Sequence, residues 1–236
     1  MTIKALTFDT GGTILNWHSG ISGALAAAGA KHGIDKDWAA ITNEYRRRSL
    51  MGMLNHGADA PATLNIDDVH RIKLDEIIAE FGLEAFDDGD RHRIWHTWHE
   101  LETWPDFPAV LPKLREKYMV ASFTILTVRL IMDTARQNGL SWDAVISCQM
   151  IGKYKLLPEA YQTAAKWLQL DPSEIVMVAC HNFDLDAAKA VGFKTAFVRR
   201  PDEWGAAGPP DPDPNPAHDF IVDDFPGLAA ALGVQV

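Results

Sequence analysis

The sequence predicts an α/β protein, a Rossmann-like doubly wound parallel sheet with a helical cap domain inserted after its first strand. Three observations carry that expectation. Short, near-continuous apolar runs recur along the chain, as in strands covered on both faces. Helical stretches separate most of these runs, which is the βαβ rhythm of a parallel sheet. The rhythm lapses between residues 18 and 104, where every stretch reads as helix. The expected core is therefore 1–17 with 105–236, and the expected cap is 18–104.

The first strand, 3–8, takes its apolar character from Ile3, Ala5, Leu6 and Phe8 and ends on Asp9. Thr10-Gly11-Gly12-Thr13 follows, so a carboxylate stands at the mouth of a buried strand on a loose turn. Cap helices are expected around 19–33, 36–56, 67–81 and 88–101. Trp104-Pro105-Asp106-Phe107-Pro108 returns the chain to the core, its two prolines favouring a stiff extended link. Helices around 108–117, 129–139, 158–168 and 183–191 then alternate with strands at 119–126, 144–148, 175–179, 195–198 and 220–222. Gly139 and Gly192 fall where helices end. Residues 201–217, rich in Pro, Gly and Asp, read as an irregular surface loop.

Composition narrows the function. A net charge of -10 argues against nucleic acid, whose phosphates want a basic stripe. Two cysteines without a CxxC suggest neither a disulfide framework nor a zinc knuckle. No apolar run approaches the ~18 residues of a spanning helix, so no membrane partner is expected. The first strand begins too early for a signal peptide, which makes the cytoplasm the expected location.

Open parallel sheets bind ligands at the carboxyl ends of their strands. The polar residues there are Asp9, Thr127, Lys155 and the cluster Cys180-His181-Asn182-Phe183-Asp184. Four segments are thus brought to one edge, and an insertion leaving from that edge would roof it. His92, His96 and His99 share a helical spacing, but Trp95, Trp98 and Trp104 around them suggest a packing face near the hinge, not a metal face. Cys180 reads as a small buried filler.

The four segments resemble the four motifs of the haloacid dehalogenase superfamily. These are Phe8-Asp9-Thr10-Gly11-Gly12-Thr13, the strand ending in Thr127, Gly152-Lys153-Tyr154-Lys155 with Pro158-Glu159-Ala160-Tyr161, and Val178 through Ala188. Their order and spacing are most similar to the L-2-haloacid dehalogenase branch. The resemblance implies a hydrolase in which Asp9 attacks the halogen-bearing carbon of a short 2-haloacid. Halide leaves, water hydrolyses the aspartyl ester, and a 2-hydroxy acid of inverted configuration results. It implies no metal or cofactor, a homodimer, and a cap arginine, carried here to Arg46 with Arg47 and Arg48 as competitors.

The residues suit that chemistry. A phosphate facing a carboxylate 4 Å away is repelled by about 4 kcal/mol per charge pair at an effective dielectric near 20. Phosphatases of the superfamily offset this with carboxylate-held magnesium, yet Gly11 and Cys180 stand where two of those acids would be. A monoanionic haloacid needs less. Lys155 can keep Asp9 ionised, and Arg46 can hold halide or carboxylate. Thr13 and Thr127 can hydrogen-bond Asp9 or the substrate, and His181 or Asp184 can direct the hydrolytic water. Gly11, Trp17, Tyr161 and Asn182 complete the expected substrate and halide set, with core packing an equal reading of Trp17. Gly11, Val128 and His181 depart from the branch, where an aromatic residue, Asn and Asn are common. A phosphatase with an atypical metal site and a non-catalytic binding protein remain alternatives.

Overall fold

A computed structural model describes residues 2–59 and 63–236. Among them, six parallel strands form one sheet in the order β3-β2-β1-β4-β5-β6. The strands are β1 (Ala5–Phe8), β2 (Met119–Thr124), β3 (Ala144–Ser147), β4 (Ile175–Ala179), β5 (Lys194–Val198) and β6 (Phe220–Val222). β1 and β4 are buried along their whole length, which is why they read as unbroken apolar runs. Phe8 pairs with Ser122 on one side and Val178 on the other, so Asp9 leaves the centre of the sheet.

Between β1 and β2 lie α1 (Trp17–Lys31), α2 (Trp38–Met51), α3 (Ile66–Glu80) and α4 (Asp88–His96), the last continued by a 3-10 turn, Thr97–Glu100. Asn16, Asp37, Asn65 and Asp87 cap these helices by accepting backbone N–H bonds. α2 stops at Met51, five residues short of the expected 56. The chain beyond it turns to meet the core: Asn55 N–H donates to Lys155 O (2.9 Å), and Tyr154 N–H to His56 O (3.1 Å).

The remaining helices are α5 (Val110–Arg115), α6 (Val128–Gln137), α7 (Cys148–Ile151), α8 (Pro158–Leu168), α9 (Asn182–Ala190) and α10 (Phe225–Ala231). Two of them, α7 and α10, lay outside the expectation. Ser147 ends β3 because its hydroxyl donates to Leu126 O (2.6 Å) and accepts from Gln149 N–H, which starts α7 at Cys148. β2 likewise stops at Thr124, whose hydroxyl caps Leu126 N–H. No helix of the described residues is long and apolar enough to cross a membrane.

His99 turns inward and bridges two elements. Its Nδ1 lies 2.9 Å from Asp133 on α6, and its Nε2 lies 3.5 Å from Asp67 on α3. His92 and His96 do not join it in a ligand cluster among the described residues. Burial alone would lower the His99 pKa, but the hydrogen bonds and charges of Asp67 and Asp133 outweigh it and raise it. Arg129 faces the same Asp133, and His70 the same Asp67. A raised folded pKa means that this stabilisation is complete below the unfolded value, about 6.5, and is lost as pH rises through the folded one. The unfolding free energy that His99→Asn removes is therefore expected to be larger near pH 6 than near pH 9 (both approximate). Urea titrations at the two pH values check this; an unchanged difference contradicts the bridge.

Candidate active site

Asp9 is fixed between the central strands, its N–H donating to Val178 O (2.9 Å). Thr13 reaches back across the turn to donate to Asp9 Oδ2 (2.8 Å) and accepts from Cys180 N–H (3.0 Å), tying the turn to the end of β4. The turn is tight because Gly12 sits at φ +94°, where a Cβ would fall 1.9 Å from Glu203 Oε1. Its carbonyl accepts from Trp104 Nε1 (2.7 Å). Gly12→Ala is thus expected to cost more than about 1 kcal/mol, read as a lower midpoint of denaturation; wild-type stability would contradict the packing.

Lys155, in the loop between α7 and α8, bridges two carboxylates. Its Nζ donates to Asp9 Oδ1 (3.0 Å) and to Asp184 Oδ2 (2.7 Å). Tyr161 on α8 donates to the other Asp184 oxygen (2.6 Å). His181 lies 3.5 Å from Asp9 Oδ2 through Nδ1, while its Nε2 contacts both Glu203 oxygens (3.0 and 3.1 Å). Arg46 enters from α2, buried, with its guanidinium over the rings of Trp17 and Trp98 at 5.5 and 5.7 Å. Its Nε and Nη1 are buried without a hydrogen-bond partner among the described residues. Arg47 and Arg48 instead pair with Glu44, and Arg48 also with Glu80. Of the three arginines, Arg46 is the one that lines the cavity beside Asp9.

The charges hold one another in place. Burial alone would raise Asp9, but the Lys155 charge, then His181 and Thr13, outweigh it and keep this carboxyl well below the usual range. Asp184 goes the other way: burial and the neighbouring Asp9 raise it against the pull of Lys155. Burial would lower Lys155, yet Asp184 and Asp9 raise it, so it stays an ammonium. Burial would lower His181, and the surrounding Cys180, Glu203 and Asp9 raise it well above its ordinary value. Glu203 is held down chiefly by His181, against burial. Asp9, Asp184 and Glu203 thus face Lys155, Arg46 and His181.

These groups surround a small cavity lined by Asp9, Gly11, Arg46, Lys155, His181 and Asp184, together with the apolar Leu50, Leu54, Ile125 and Phe183. Its volume of about 20 Å³ is room for roughly one water. Gly11 lies on the floor, and a Cβ there would stand 3.2 Å from Arg46 Nη2, so glycine lets the guanidinium approach the turn.

The structure places other expected residues elsewhere. Thr127 does not line the cavity: it caps α6, and its hydroxyl donates to Asp67 Oδ2 (2.8 Å) on α3. Asn182 also faces away, donating to Asp213 O (2.8 Å) and accepting from Asn215 N–H (2.8 Å). Trp17 is fully buried, at once core and a wall behind Arg46, and its Nε1 donates to Glu203 (3.0 Å). Glu203 itself escaped the sequence reading because it falls in the loop expected at the surface. Only the neighbouring Trp204 hinted that this part of the loop turns inward, where it meets Trp17 at 5.0 Å.

A magnesium site is poorly supplied. Both Asp184 oxygens accept bonds from Lys155 and Tyr161, and Gly11 offers no side chain. Hard cations want several free oxygen ligands.

Comparison with known proteins identifies the family and fold. The family model described as haloacid dehalogenase-like hydrolase matches residues 3–192. The (S)-2-haloacid dehalogenase 1 of Pseudomonas sp. (strain CBS-3) is 27% identical over 221 residues, covering 87% of this chain and 89% of that protein. A crystal structure of an L-2-haloacid dehalogenase superposes with a TM-score of 0.89 at 32% identity, covering 98% of this chain and 99% of the other. A defluorinating L-2-haloacid dehalogenase superposes with a TM-score of 0.89 at 33% identity, covering 98% and 95%.

Proposed function

Since the chain belongs to the haloacid dehalogenase-like hydrolases, we propose that it removes halide from short 2-haloacids by way of an ester on Asp9. Residues 18–104 serve as the cap in this reading. The carrying observation is a buried, ionised Asp9 held by Lys155 beside an Arg46 whose buried N–H groups lack partners.

Arg46 takes the substrate carboxylate or the departing halide with those free donors. Asp9 attacks the halogen-bearing carbon; the new bond is Asp9 Oδ to carbon, and the bond to halogen breaks with its electron pair. Lys155 and Thr13 fix the carboxylate so that the attack is in line. Water then adds to the Asp9 carboxyl carbon, and the acyl–oxygen bond breaks. The hydroxyl oxygen of the product is therefore one that began on Asp9. Once esterified, Asp9 no longer holds His181 as an anion. With that charge gone His181 gives up a proton to solvent, and the neutral imidazole, held from behind by Glu203, takes a proton from the attacking water, passes it to the departing hydroxyl oxygen and takes up the proton of the re-formed Asp9 carboxyl.

In this reading a haloacid, larger than the water-sized cavity, is admitted by an outward shift of Arg46, Leu50 and Leu54 on its cap side. Compactness favours small members of the class, and the likeness to a defluorinating enzyme extends the proposal to fluoroacetate. Halide release from fluoro-, chloro- and bromoacetate and both 2-chloropropionate enantiomers, with a chelator present, tests the reading. Release in chelator is expected. Activity on phosphate esters that requires added magnesium, with no halide release, contradicts it.

A further inference from the structure

We propose that Cys180, His181 and Glu203 form a binding site for a thiophilic divalent cation of the zinc type, whose occupation blocks the reaction. The ligand atoms already face one another. Cys180 Sγ lies 3.4 Å from His181 Nε2 and 3.6 Å from Glu203 Oε2, and Nε2 lies 3.1 Å from the same Oε2. A tetrahedral zinc with sulfur, nitrogen and oxygen at their usual bond lengths separates its ligands by roughly 3.3–3.6 Å. The three atoms therefore outline one face of such an ion with shifts of a few tenths of an ångström, leaving its fourth position to water.

The surroundings complete the site. His181 turns its other nitrogen, Nδ1, toward Asp9 Oδ2 at 3.5 Å, the carboxylate–imidazole arrangement that orients a metal-bound histidine. Glu203 is steadied by Trp17 Nε1, and Cys180 by Thr13. Cys180 also lines a second cavity of about 220 Å³ on the side of Arg200, Pro201 and Asp211. The arginines there are engaged, Arg199 with Asp223 and Arg200 with Asp106. The ligand set decides the ion: a thiolate and an imidazole select zinc-like metals over magnesium. By contrast, the other cluster of ligand-type side chains among the described residues, His32, Asp87 and Asp90, already holds a cation, the Lys31 ammonium, at 2.8 and 2.9 Å.

Binding stands apart from the activity, whereas the blockade rests on the proposed dehalogenation. A bound ion takes Glu203 and His181 out of ester hydrolysis and places two positive charges beside Asp9.

Metal-free protein titrated with Co²⁺ tests the site without any substrate. A tetrahedral cobalt spectrum with a thiolate charge-transfer band is expected, saturating at about one equivalent and erased by Zn²⁺ but not by Mg²⁺. Cys180→Ser should abolish the band, Glu203→Gln should weaken binding at least about tenfold, and Cys148→Ser should change neither. Should Cys180→Ser fail to fold, Zn²⁺ protection of Cys180 against a thiol reagent in the wild type, read by peptide mass, replaces it. No band, a band that survives Cys180→Ser, or no protection overturns the site. In the activity arm, Zn²⁺ should stop halide release and a chelator restore it. Full release at saturating Zn²⁺ overturns the blockade. A cobalt band in protein that never releases halide leaves the site standing and overturns the proposed function.

Discussion

Asp9→Asn is expected to lower halide release by at least about 10³-fold, the scale on which removal of a covalent nucleophile is felt. The side chain changes little in shape, and Lys155 keeps its 2.7 Å partner in Asp184, so the fold should survive. Arg46 lies across the cavity and is untouched, so haloacid binding should persist while the chemistry stops. Calorimetric binding beside a halide-release assay checks both. A variant that retains a tenth or more of the activity (an approximate bound) contradicts a nucleophilic role.

Lys155→Met is expected to do more damage to the fold. It leaves Asp9 and Asp184 buried together without the ammonium that both contact. Removing one partner of a buried ionic group costs about 3–5 kcal/mol, because the remaining charge is stranded. Activity should fall as well, since Asp9 would no longer be held ionised or in line. The double variant Lys155→Met/Asp184→Asn separates the two effects. It removes one stranded carboxylate, so it should regain part of the lost stability, and a positive coupling energy should appear in the cycle. Activity should not return. Denaturant unfolding of the single and double variants reads this directly. Additive losses would mean that Lys155 does not bridge the pair.

How much of this was legible depends on what kind of interaction places each residue. Asp9, Lys155, His181 and Asp184 meet because parallel strands deliver their carboxyl ends to one edge. That consequence of topology follows from the apolar runs alone. The directions of individual side chains do not. Thr127 stands at the right edge, yet its hydroxyl is taken by Asp67 from a helix sixty residues earlier in the chain. Asn182 opens α9 beside the site, but its amide ties down the 213–215 loop. Periodicity fixed a basic run on α2 without its register. Burial against Trp17 and Trp98 sets Arg46 apart, and half-buried Glu44 and exposed Glu80 draw off its neighbours. Glu203 is the clearest omission. It sits in a Pro- and Asp-rich stretch whose composition speaks of solvent, and only the tertiary approach of Gly12, Trp17 and His181 makes a buried carboxylate there stable.

The order of bond-breaking is where the account is most exposed. Excess enzyme should be given one turnover of a haloacid in heavy-oxygen water, and the peptide carrying Asp9 and the released hydroxy acid should be weighed separately. Attack by Asp9 followed by water at its carboxyl carbon predicts heavy oxygen in the Asp9 peptide and none in the product hydroxyl. Heavy oxygen in the product alone, with Asp9 unlabelled, would mean that water displaces the halide directly and that this aspartate is no nucleophile.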